Sequence, residues 1–330
     1  MKKMYPLLLD PPIKDYIWGG TRLKTDFGFK TELERAAEAW VLSCHPDGRC
    51  QILNGELKGS SLSQAISLWG SGAVGSSAEK NASFPILVKL IDAKDRLSVQ
   101  VHPDDAYAQK YENDNGKTEM WYIIDCDPDA RLVYGFNRTV TKEEVRARIE
   151  SNTLDEILNY VDVKKDDAFF IPAGTVHAIG KGILIAEIQQ SSNVTYRVSD
   201  YGRLGADGKP RALHIDKALE VMKLSESQLD EKAGEYNSLS PGVSVRALAS
   251  CQYFNAAAYR LDAEAELFLG AKYSFVSVTL LSGSARLEQD SLDNSIDLIP
   301  GSTVFIPAGI YSKITALTDS RLITADCSNA

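Results

Sequence analysis

The sequence is poor in the residues and patterns that mark several common protein classes. Its 330 residues include only four histidines and five cysteines, and the cysteines are scattered at positions 44, 50, 126, 251 and 327 with no Cys-x-x-Cys pair. This spacing argues against a disulfide framework and against a cysteine-based zinc cluster, and it favours reduced thiols. A metal site built on imidazole would have few candidate ligands.

Long apolar runs and basic blocks are also missing. No stretch approaches the about 18 apolar residues of a membrane helix, and the short apolar run at residues 7–9 is followed by prolines instead of a signal-peptide cleavage site. Lys and Arg total 36 against 45 Asp and Glu, a net charge of −9, which argues against nucleic-acid binding. We therefore expect a cytoplasmic protein, a monomer or weak homo-oligomer, with no nucleic-acid or membrane partner.

Short strand-like runs dominate what is present. They are rich in β-branched and aromatic residues and bounded by Gly, Pro, Asn or Asp, at residues 84–91, 97–101, 119–124, 168–171, 183–189, 244–248, 254–261, 274–281 and 322–325. Three segments instead predict helices: 61–68, 141–160 with a capped start at Thr141, and 215–222 in a helix-prone stretch reaching about 233. The pattern predicts an all-β protein, a sandwich or barrel with helical insertions.

An internal repeat accompanies a change of composition. Residues 167–179 recur as 302–314 with Phe-Ile-Pro-Ala-Gly identical, and in this register His177 corresponds to Ser312. The repeat indicates two copies of one β-unit; the alternative is that ordinary turn residues recur by chance. A polar stretch at 224–240, closed by Pro-Gly, predicts a boundary between domains 1–240 and 241–330. If His177 binds a metal, the second domain has lost that ligand.

Three segments offer donors for a metal ion. On the strand ending at His102, strand alternation places Ser98, Gln100 and His102 on one face, opposite three apolar residues. Glu119 shares a face with Lys117 on a second strand, and His177 follows a tight turn. Two imidazoles and a carboxylate favour a catalytic zinc ion, with Gln100 as a possible fourth ligand, although iron or manganese stays open.

Each of these residues also has a simpler interpretation. His102 could merely end a strand before Pro103. Glu119 and Lys117 could form a solvated pair on an edge strand, which contributes little to stability. The hypothesis of a metal site rests on the three segments taken together.

The same segments carry a resemblance to a known family. Residues 98–104 (Ser-Val-Gln-Val-His-Pro-Asp), 116–122 (Gly-Lys-Thr-Glu-Met-Trp-Tyr), 171–178 and 187–198 resemble, in order and spacing, the type I mannose-6-phosphate isomerases in their short bacterial form. The early motifs at 16–20, 37–40 and 45–46 are similar too. The resemblance covers roughly residues 5–225, and the repeat extends it to the remainder.

The resemblance implies a fold, a cofactor and an activity. The fold is two cupin barrels, double-stranded jelly rolls, of which the first binds one zinc ion per chain and the second is metal-free. The implied reaction interconverts mannose 6-phosphate and fructose 6-phosphate. The implied zinc ligands are Gln100, His102, Glu119 and His177. Arg197 falls on the family's active-site arginine, and positions matching substrate or phosphate contacts are Ser98, Lys89 and Lys117.

The chemistry of this reaction agrees with these residues. Moving a proton between C1 and C2 passes through an enediolate, whose negative oxygen a metal and a cation such as Arg197 can stabilise. The base stays open among a zinc-bound water, Lys117 and a nearby carboxylate. Lys89, Lys117, Arg197 and Arg203 are candidates for binding phosphate; for Lys89 the alternative is a solvated surface charge.

Some features leave the function less fixed. Asn193, Tyr201 and Val41 depart from residues common in the family, so they put the exact sugar in question more than the metal. A cupin dioxygenase could use the same two histidines and carboxylate to bind iron. A non-catalytic sugar-phosphate binding module is the second alternative, because one fold hosts many functions.

Overall fold

The computed structural model describes residues 3–78, 83–205, 208–228, 234–290, 292 and 295–328, and these residues are mainly β-strand. The strands are β1 Leu7–Asp10, β2 Ile13–Lys14, β3 Glu38–Leu42, β4 Gln51–Ile52, β5 Ile86–Ala93, β6 Val99–Val101, β7 Glu119–Cys126, β8 Arg131–Phe136, β9 Leu158–Asp162, β10 Ala168–Ile171, β11 His177–Ala178, β12 Ile183–Gln190, β13 Tyr196–Ser199, β14 Asn237–Ser240, β15 Val243–Ser250, β16 Asn255–Leu261, β17 Glu266–Leu269, β18 Val276–Ser282, β19 Ala285–Glu288, β20 Ile296–Leu298, β21 Thr303–Ile306, β22 Ser312–Ala316 and β23 Ser320–Asp326. The predicted all-β class is confirmed.

Helices are short and few in these residues. The α-helices are α1 Arg22–Thr25, α2 Leu62–Trp69, α3 Asp105–Tyr111, α4 Lys142–Glu150 and α5 Ile215–Val221, and single 3-10 turns lie at Gly55–Leu57, Ser71–Ala73 and Leu154–Glu156. In the described part of the chain, no helix has both the length and the apolar character needed to cross a membrane.

Two pairs of sheets form two cupin barrels. In the first barrel a six-stranded sheet, in the order β10-β7-β12-β5-β3-β2, faces a five-stranded sheet, β13-β6-β11-β8-β9. In the second, an eight-stranded sheet, β14-β15-β16-β23-β18-β21-β1-β4, faces a four-stranded sheet, β17-β22-β19-β20. All pairs between named strands are antiparallel. One face of each sheet can therefore pack in a barrel core, and the other face can contact solvent or another part of the protein.

The six-stranded sheet is covered on both faces, which explains why β5 and β12 are buried throughout. On one face Val88, Leu90 and Ile188 join a core that includes Phe275 and Phe305 from the second barrel. Strand alternation turns Lys89 and Glu187, the neighbours of those residues, to the opposite face, inside the first barrel. The sheet therefore joins the barrels with one face and carries polar groups into the barrel interior with the other.

The first strand of the chain belongs to the sheet of the second barrel. Leu7 pairs with Phe305 and Leu9 with Thr303, so β1 extends the eight-stranded sheet, and β4 follows on its far side. This pairing between chain ends cannot be read from local patterns, because register and partner depend on which edge is available. The division into residues 1–240 and 241–330 stays a prediction.

Both copies of the repeat form a strand, a turn and a second strand. The first copy comprises β10 and β11, and the second comprises β21 and β22. The shared glycines, Gly174 and Gly309, have φ of 85° and 77°, a backbone conformation that favours glycine. His177 and Ser312 therefore begin equivalent strands in the two barrels.

The helix predictions need one correction. The segments predicted at 61–68 and 215–222 correspond to α2 and α5, and Ser61 caps α2 with a capping box. The helix predicted over 141–160 ends at Glu150, so the prediction is wrong beyond that residue. Asn152 adopts a positive φ of 56°, and residues from Leu158 pair with β8 instead. Cross-strand pairing therefore overrides local helix propensity.

Helices α1 and α3 were not predicted from the sequence, and the expected extension of α5 can be checked only in part. Helix α3 follows Asp104, whose side chain accepts a hydrogen bond from the Tyr107 backbone N–H; this cap was a usable signal. Helix α5 ends at Val221, so the helix-prone character expected to continue to about 233 does not extend it. Residues 229–233 lie outside the described residues.

Candidate functional site

Three strands of the five-stranded sheet align the predicted site residues on one face. Gln100 on β6 is opposite His177 on β11, and on the other side it is opposite Arg197 on β13. Residues directly opposite each other on neighbouring strands place their side chains on the same face. The pairing explains how residues nearly a hundred positions apart in the sequence come together in the barrel interior.

The facing sheet supplies the carboxylate. Glu119 begins β7 and lies with one oxygen, Oε1, 3.3 Å from His177 Nε2 and with Oε2 3.6 Å from His102 Nε2. The two histidine Nε2 atoms are 3.2 Å apart. Among the described residues, these three form the group of His, Cys, Asp and Glu side chains that could hold a metal ion.

Backbone carbonyl groups fix both imidazole rings. The Nδ1 atom of His102 is 2.8 Å from the Val194 carbonyl oxygen, and Nδ1 of His177 is 2.8 Å from that of Thr175. A carbonyl only accepts, so each Nδ1 carries the proton and donates it. Each Nε2 therefore keeps its lone pair directed at Glu119 and at the other histidine, which is the arrangement of metal-binding histidines with second-sphere carbonyl partners.

Burial makes this cluster costly without a cation. Glu119 and His177 are fully buried, and His102 is 1% exposed. Burial raises the pKa of the Glu119 carboxyl to about 7 and lowers the pKa of His177 to about 4; burial, with the Lys117 charge, also lowers the pKa of His102. Among the described residues, Glu119 Oε1 has no hydrogen-bond donor, and Oε2 has only the Lys117 ammonium, 3.0 Å away. A divalent cation would satisfy these groups, so the residues fit one.

Gln100 lies beside the cluster as a fourth donor. Its amide nitrogen, Nε2, is 3.3 Å from His177 Nε2. In this orientation the amide N–H donates to the His177 Nε2 lone pair, and amide nitrogen and oxygen are nearly indistinguishable in shape. Rotating the amide by a half turn would direct its oxygen at the same point as the histidine lone pairs.

Lys117 borders the cluster and is not a solvated residue. Its Nζ is 3.0 Å from Glu119 Oε2 and 3.1 Å from His102 Nε2, and the residue is 4% exposed. The alternative interpretation of Glu119 and Lys117 as a solvated edge pair is therefore wrong. The alternative for His102, a histidine that only ends its strand, is incomplete, because its ring takes part in the cluster.

Lys89 belongs to a buried ionic network beside the cluster. Its Nζ is 3.1 Å from Glu187 Oε1 and 3.8 Å from Glu38 Oε2, and the residue is 5% exposed, so the interpretation as a surface lysine is wrong. Burial alone would lower its pKa, but the two carboxylates raise it. Burial would likewise raise the pKa of Glu187, yet Lys89 and Lys117 lower it to about 2. Both partners therefore stay charged.

A cavity of about 290 Å³ opens above these groups. Its lining includes all the predicted substrate-contacting residues. It also includes Gln100 and Lys117, which lie beside the metal cluster. The lining residues are Tyr16, Trp18, Glu38, Lys89, Ile91, Leu97, Ser98, Gln100, Lys117, Ile179, Glu187, Asn193, Thr195, Arg197 and Arg211. Four of them are Lys or Arg, so cationic side chains are concentrated at one concave site although the chain as a whole is acidic.

Arg197 enters this cavity from β13. Its Nη1 donates to the Ala212 carbonyl oxygen at 2.9 Å, and its Nε is buried with no hydrogen-bond partner among the described residues. Its backbone N–H donates to His214 Nδ1 at 3.1 Å, so His214 holds the strand that carries Arg197. Burial and the nearby Arg211 lower the pKa of Arg197. A second arginine so close indicates a site shaped for an anion.

Sequence reasoning missed Arg211. Both oxygens of Asp200 accept hydrogen bonds from it, from Nε at 2.7 Å and from Nη2 at 2.5 Å, which orients the guanidinium beside Arg197. The only available signal was a basic residue in the loop after β13, which could not be ranked above its neighbours. Arg203, a predicted phosphate contact, instead donates to Asp200 at 2.6 Å and is absent from the described cavity lining.

The carboxylates in the cavity were also missed as members of the site. Glu38 accepts a hydrogen bond from the Trp40 indole at 2.7 Å, and Glu187 accepts one from the Trp121 indole at 2.9 Å. Both hold Lys89 from opposite sides. Asn193, which departs from the family pattern, donates to Asp47 at 2.8 Å and also lines the cavity. His45 packs edge-on against Trp40, which indicates a structural role.

Comparisons with known proteins agree with this geometry. A family model described as the catalytic domain of type I phosphomannose isomerase matches residues 7–127. The mannose-6-phosphate isomerase ManA of Bacillus subtilis (strain 168) is 41% identical over 283 residues, covering 86% of this chain and 87% of the relative. The mannose-6-phosphate isomerase of Streptococcus mutans is 39% identical over 307 residues, covering 91% and 93%.

A solved structure extends the similarity to nearly the whole chain. The crystal structure of the mannose 6-phosphate isomerase from Bacillus subtilis superposes with a TM-score of 0.87 at 34% identity, covering 98% of this chain and 99% of that one. The similarity therefore includes the second barrel, which the sequence motifs did not reach. This chain belongs to the type I phosphomannose isomerase family.

Proposed function

We propose that this protein interconverts mannose 6-phosphate and fructose 6-phosphate, using one divalent metal ion for which zinc is the first choice. The observation that carries the proposal is the buried carboxylate of Glu119, which faces two imidazole lone pairs and, among the described residues, has only the Lys117 ammonium as a charged partner, directly beside a cavity with four cationic side chains. The substrate is inferred from the names of the relatives. The four cationic side chains of the cavity explain how its phosphate group could be bound.

The proposed metal ligands are Gln100, His102, Glu119 and His177. Two neutral imidazoles, a carboxylate and an amide oxygen leave open positions on a divalent ion. When bound, the ion would supply Lewis-acid stabilisation of negative charge that develops on a substrate oxygen.

The cationic side chains would bind and orient the sugar phosphate. Arg197 and Arg211 lie together at one part of the cavity lining, and Lys89 and Lys117 lie against the buried carboxylates. Because Lys89 is neutralised by Glu187 and Glu38, the arginine pair has the greater unbalanced charge. We therefore assign the phosphate to the arginines and the reacting end of the sugar to the region of Lys117.

Proton transfer would proceed through an enediolate. Removing a proton next to the carbonyl leaves negative charge on oxygen, which cationic groups in a water-poor cavity stabilise strongly. Arg197 and Lys117 are the proposed catalytic residues, and Ser98, Lys89, Lys117 and Arg197 the proposed substrate contacts. A pKa of about 2 makes Glu187 a weak base, so we assign it to holding Lys89 in position.

The alternatives predict different chemistry. A dioxygenase could use the same two histidines and carboxylate to bind iron, but four Lys and Arg side chains in the cavity favour a phosphorylated substrate over an aromatic one. A binding module would be stabilised by sugar phosphate without forming product. Cytoplasmic location and a monomeric or weakly associated state stay predictions.

The test is a coupled assay with mannose 6-phosphate on the purified protein, together with elemental analysis. We expect turnover to fructose 6-phosphate and about one divalent ion per chain. Oxygen uptake with an enol substrate and no sugar-phosphate turnover would support the dioxygenase. Stabilisation by mannose 6-phosphate with no product would support the binding module.

A further inference from the structure

A second cavity, of about 210 Å³, opens next to the substrate cavity, and Ile179 lines both. Its floor is apolar, formed by Ala130, Val133 and Ala178. Its rim carries Arg96, Arg131 and Lys181. This cavity, which we call the rim pocket, has no part in the proposed isomerase reaction.

The three cations of the rim pocket have no direct ion-pair partner. Within the described part of the chain, the side chains of Arg96, Arg131 and Lys181 form no ion pair and no hydrogen bond. Asp129 lines the pocket and Asp155 acts on Tyr160 and Tyr201 beside it, so the three cations outnumber the nearby carboxylates by one. In a chain with a net charge of −9, such a concentration of unpaired cations attracts anions.

Aromatic rings hold two of these cations in place. The Arg96 guanidinium carbon lies 3.5 Å from the centroid of the Tyr201 ring, and that of Arg131 lies 5.2 Å from the Tyr160 centroid. A guanidinium stacked on a ring keeps all its N–H donors at its edge. Stacking therefore orders the long side chains in advance and leaves their donors available to a ligand, which lowers the entropy cost of binding.

The backbone at Tyr201 is held in an unfavourable conformation that supports this stack. Tyr201 has a φ of 56°, in the left-handed region that an aromatic residue rarely adopts. Its backbone N–H donates to Ser199 Oγ at 3.3 Å. Backbone strain of this kind persists where surrounding contacts maintain it, and here it places the ring between Arg96 and Arg203.

We propose that the rim pocket is a second anion-binding site, for the dianionic phosphate of a small phosphorylated metabolite. Three donor-rich cations on one rim match a phosphate, and the apolar floor with two tyrosines suits the carbon skeleton attached to it. The size of the cavity limits the ligand to a small molecule. The binding of phosphate at the rim pocket is independent of the proposed function, and only the expected effect on KM rests on that function.

A chain of contacts links the rim pocket to the substrate cavity. Arg203 donates to the Arg96 carbonyl oxygen at 2.5 Å and to Asp200 at 2.6 Å, and the same Asp200 oxygen accepts from Arg211 at 2.5 Å. The Arg96 backbone is therefore joined through Arg203 and Asp200 to Arg211, so a shift of this backbone on anion binding would reach the residues that orient Arg211. We expect occupancy of the pocket to change the KM for substrate more than kcat.

Isothermal titration calorimetry with inorganic phosphate tests the proposal at low ionic strength. We expect the wild-type protein to bind phosphate at two sites. The double variant Arg131→Gln/Lys181→Gln should bind at one of these at least about tenfold more weakly, because two of three cations are lost. Arg211→Ala should weaken only the other site. Both replaced residues of the double variant are exposed, so the fold should be retained.

A charge-matched control is Lys58→Gln/Arg286→Gln, which removes one lysine and one arginine from exposed positions outside both cavities. It should bind phosphate at both sites as the wild type does. The proposal is overturned if the pocket variant retains both sites, or if the control loses affinity equally. If the double variant misfolds by circular dichroism, the single variants are measured, and unchanged phosphate binding in both rejects the site.

Discussion

The Nε2 atoms of His102 and His177 lie 3.2 Å apart, although the two residues are 75 positions apart in the chain. A backbone carbonyl oxygen binds the Nδ1 of each ring, so both lone pairs converge on the same space as the Glu119 carboxylate. The candidate ligand set is thus oriented by the backbone itself.

Removal of the metal should abolish activity reversibly. After dialysis against a strong chelator we expect loss of isomerase turnover and a lower thermal midpoint, since a ligand that binds the folded state stabilises it. Adding zinc should restore both, and elemental analysis should follow the recovery. Full turnover by a sample shown to be free of metal would reject the metal-dependent mechanism.

The two copies of the repeat should respond differently to substitution. His177→Ala should lose the bound metal and turnover, because it removes a ligand of the cluster. Ser312→Ala should change neither, and its stability should be nearly unchanged, since the buried Ser312 hydroxyl has no hydrogen-bond partner among the described residues. Metal content and turnover are the measurements. Equal losses in the two variants would contradict the assignment of the metal to the first barrel alone.

Arg211 and the aspartate that orients it should govern substrate affinity. Arg211→Ala should raise the KM for mannose 6-phosphate about tenfold or more, as expected for a lost charge-assisted contact, with a smaller change in kcat. Asp200→Asn should raise KM less, because it only loosens the guanidinium. The matched control is Asp95→Asn, which alters a more distant partner of Arg203, 3.7 Å away, and should leave KM unchanged. An unchanged KM in Arg211→Ala would remove it from the phosphate site.

Asp166 should make stability depend on pH. It lies in the first barrel and accepts hydrogen bonds from Arg321 at 2.9 and 3.0 Å, from Arg260 at 2.9 Å and from the Tyr122 hydroxyl at 2.5 Å. Burial would raise its pKa, but the Tyr122 hydroxyl and the two arginines lower it. A lowered pKa stabilises the folded state above the unfolded value of about 3.9, and the contribution is lost as pH falls through the folded value.

We therefore expect Asp166→Asn to lower the free energy of unfolding by about 2 kcal/mol at pH 7, and by much less as the pH falls below about 4. Urea unfolding of wild type and variant at several pH values measures this difference. Asp297→Asn, which removes only an exposed pair with Arg286, is the control and should cost little at any pH. A difference that is constant with pH would contradict the role of the charge.

Much of the fold was predictable because it is written in local patterns. The alternation of apolar and polar residues located β10 at its observed bounds and β7 and β12 nearly so. Ser61 and Thr141 marked the helix starts through their capping side chains. The end of α4 was not predictable in this way, since β9 is specified by its pairing with β8 and not by its own residues.

The residues of the candidate site were likewise predictable only in part. His102 and His177 could be named because the chain has only four histidines, and strand alternation together with the family resemblance added Glu119 and Gln100. Whether Lys89 is a surface charge or a buried one could not be read from its own strand, because that depends on which sheet covers it. Arg211 follows an irregular loop, whose path is set by contacts and not by periodicity.

The sequence by itself determined the strand periods, the repeat and the candidate donors for a metal ion, because side-chain chemistry and local backbone preference act between near neighbours. Only the tertiary structure decided that β1 joins the second barrel, that Lys89 is enclosed by two carboxylates and that Arg211 stands beside Arg197. These are contacts between distant segments, and their energies are set by burial and by pairing across sheets, which exist only once the chain has folded.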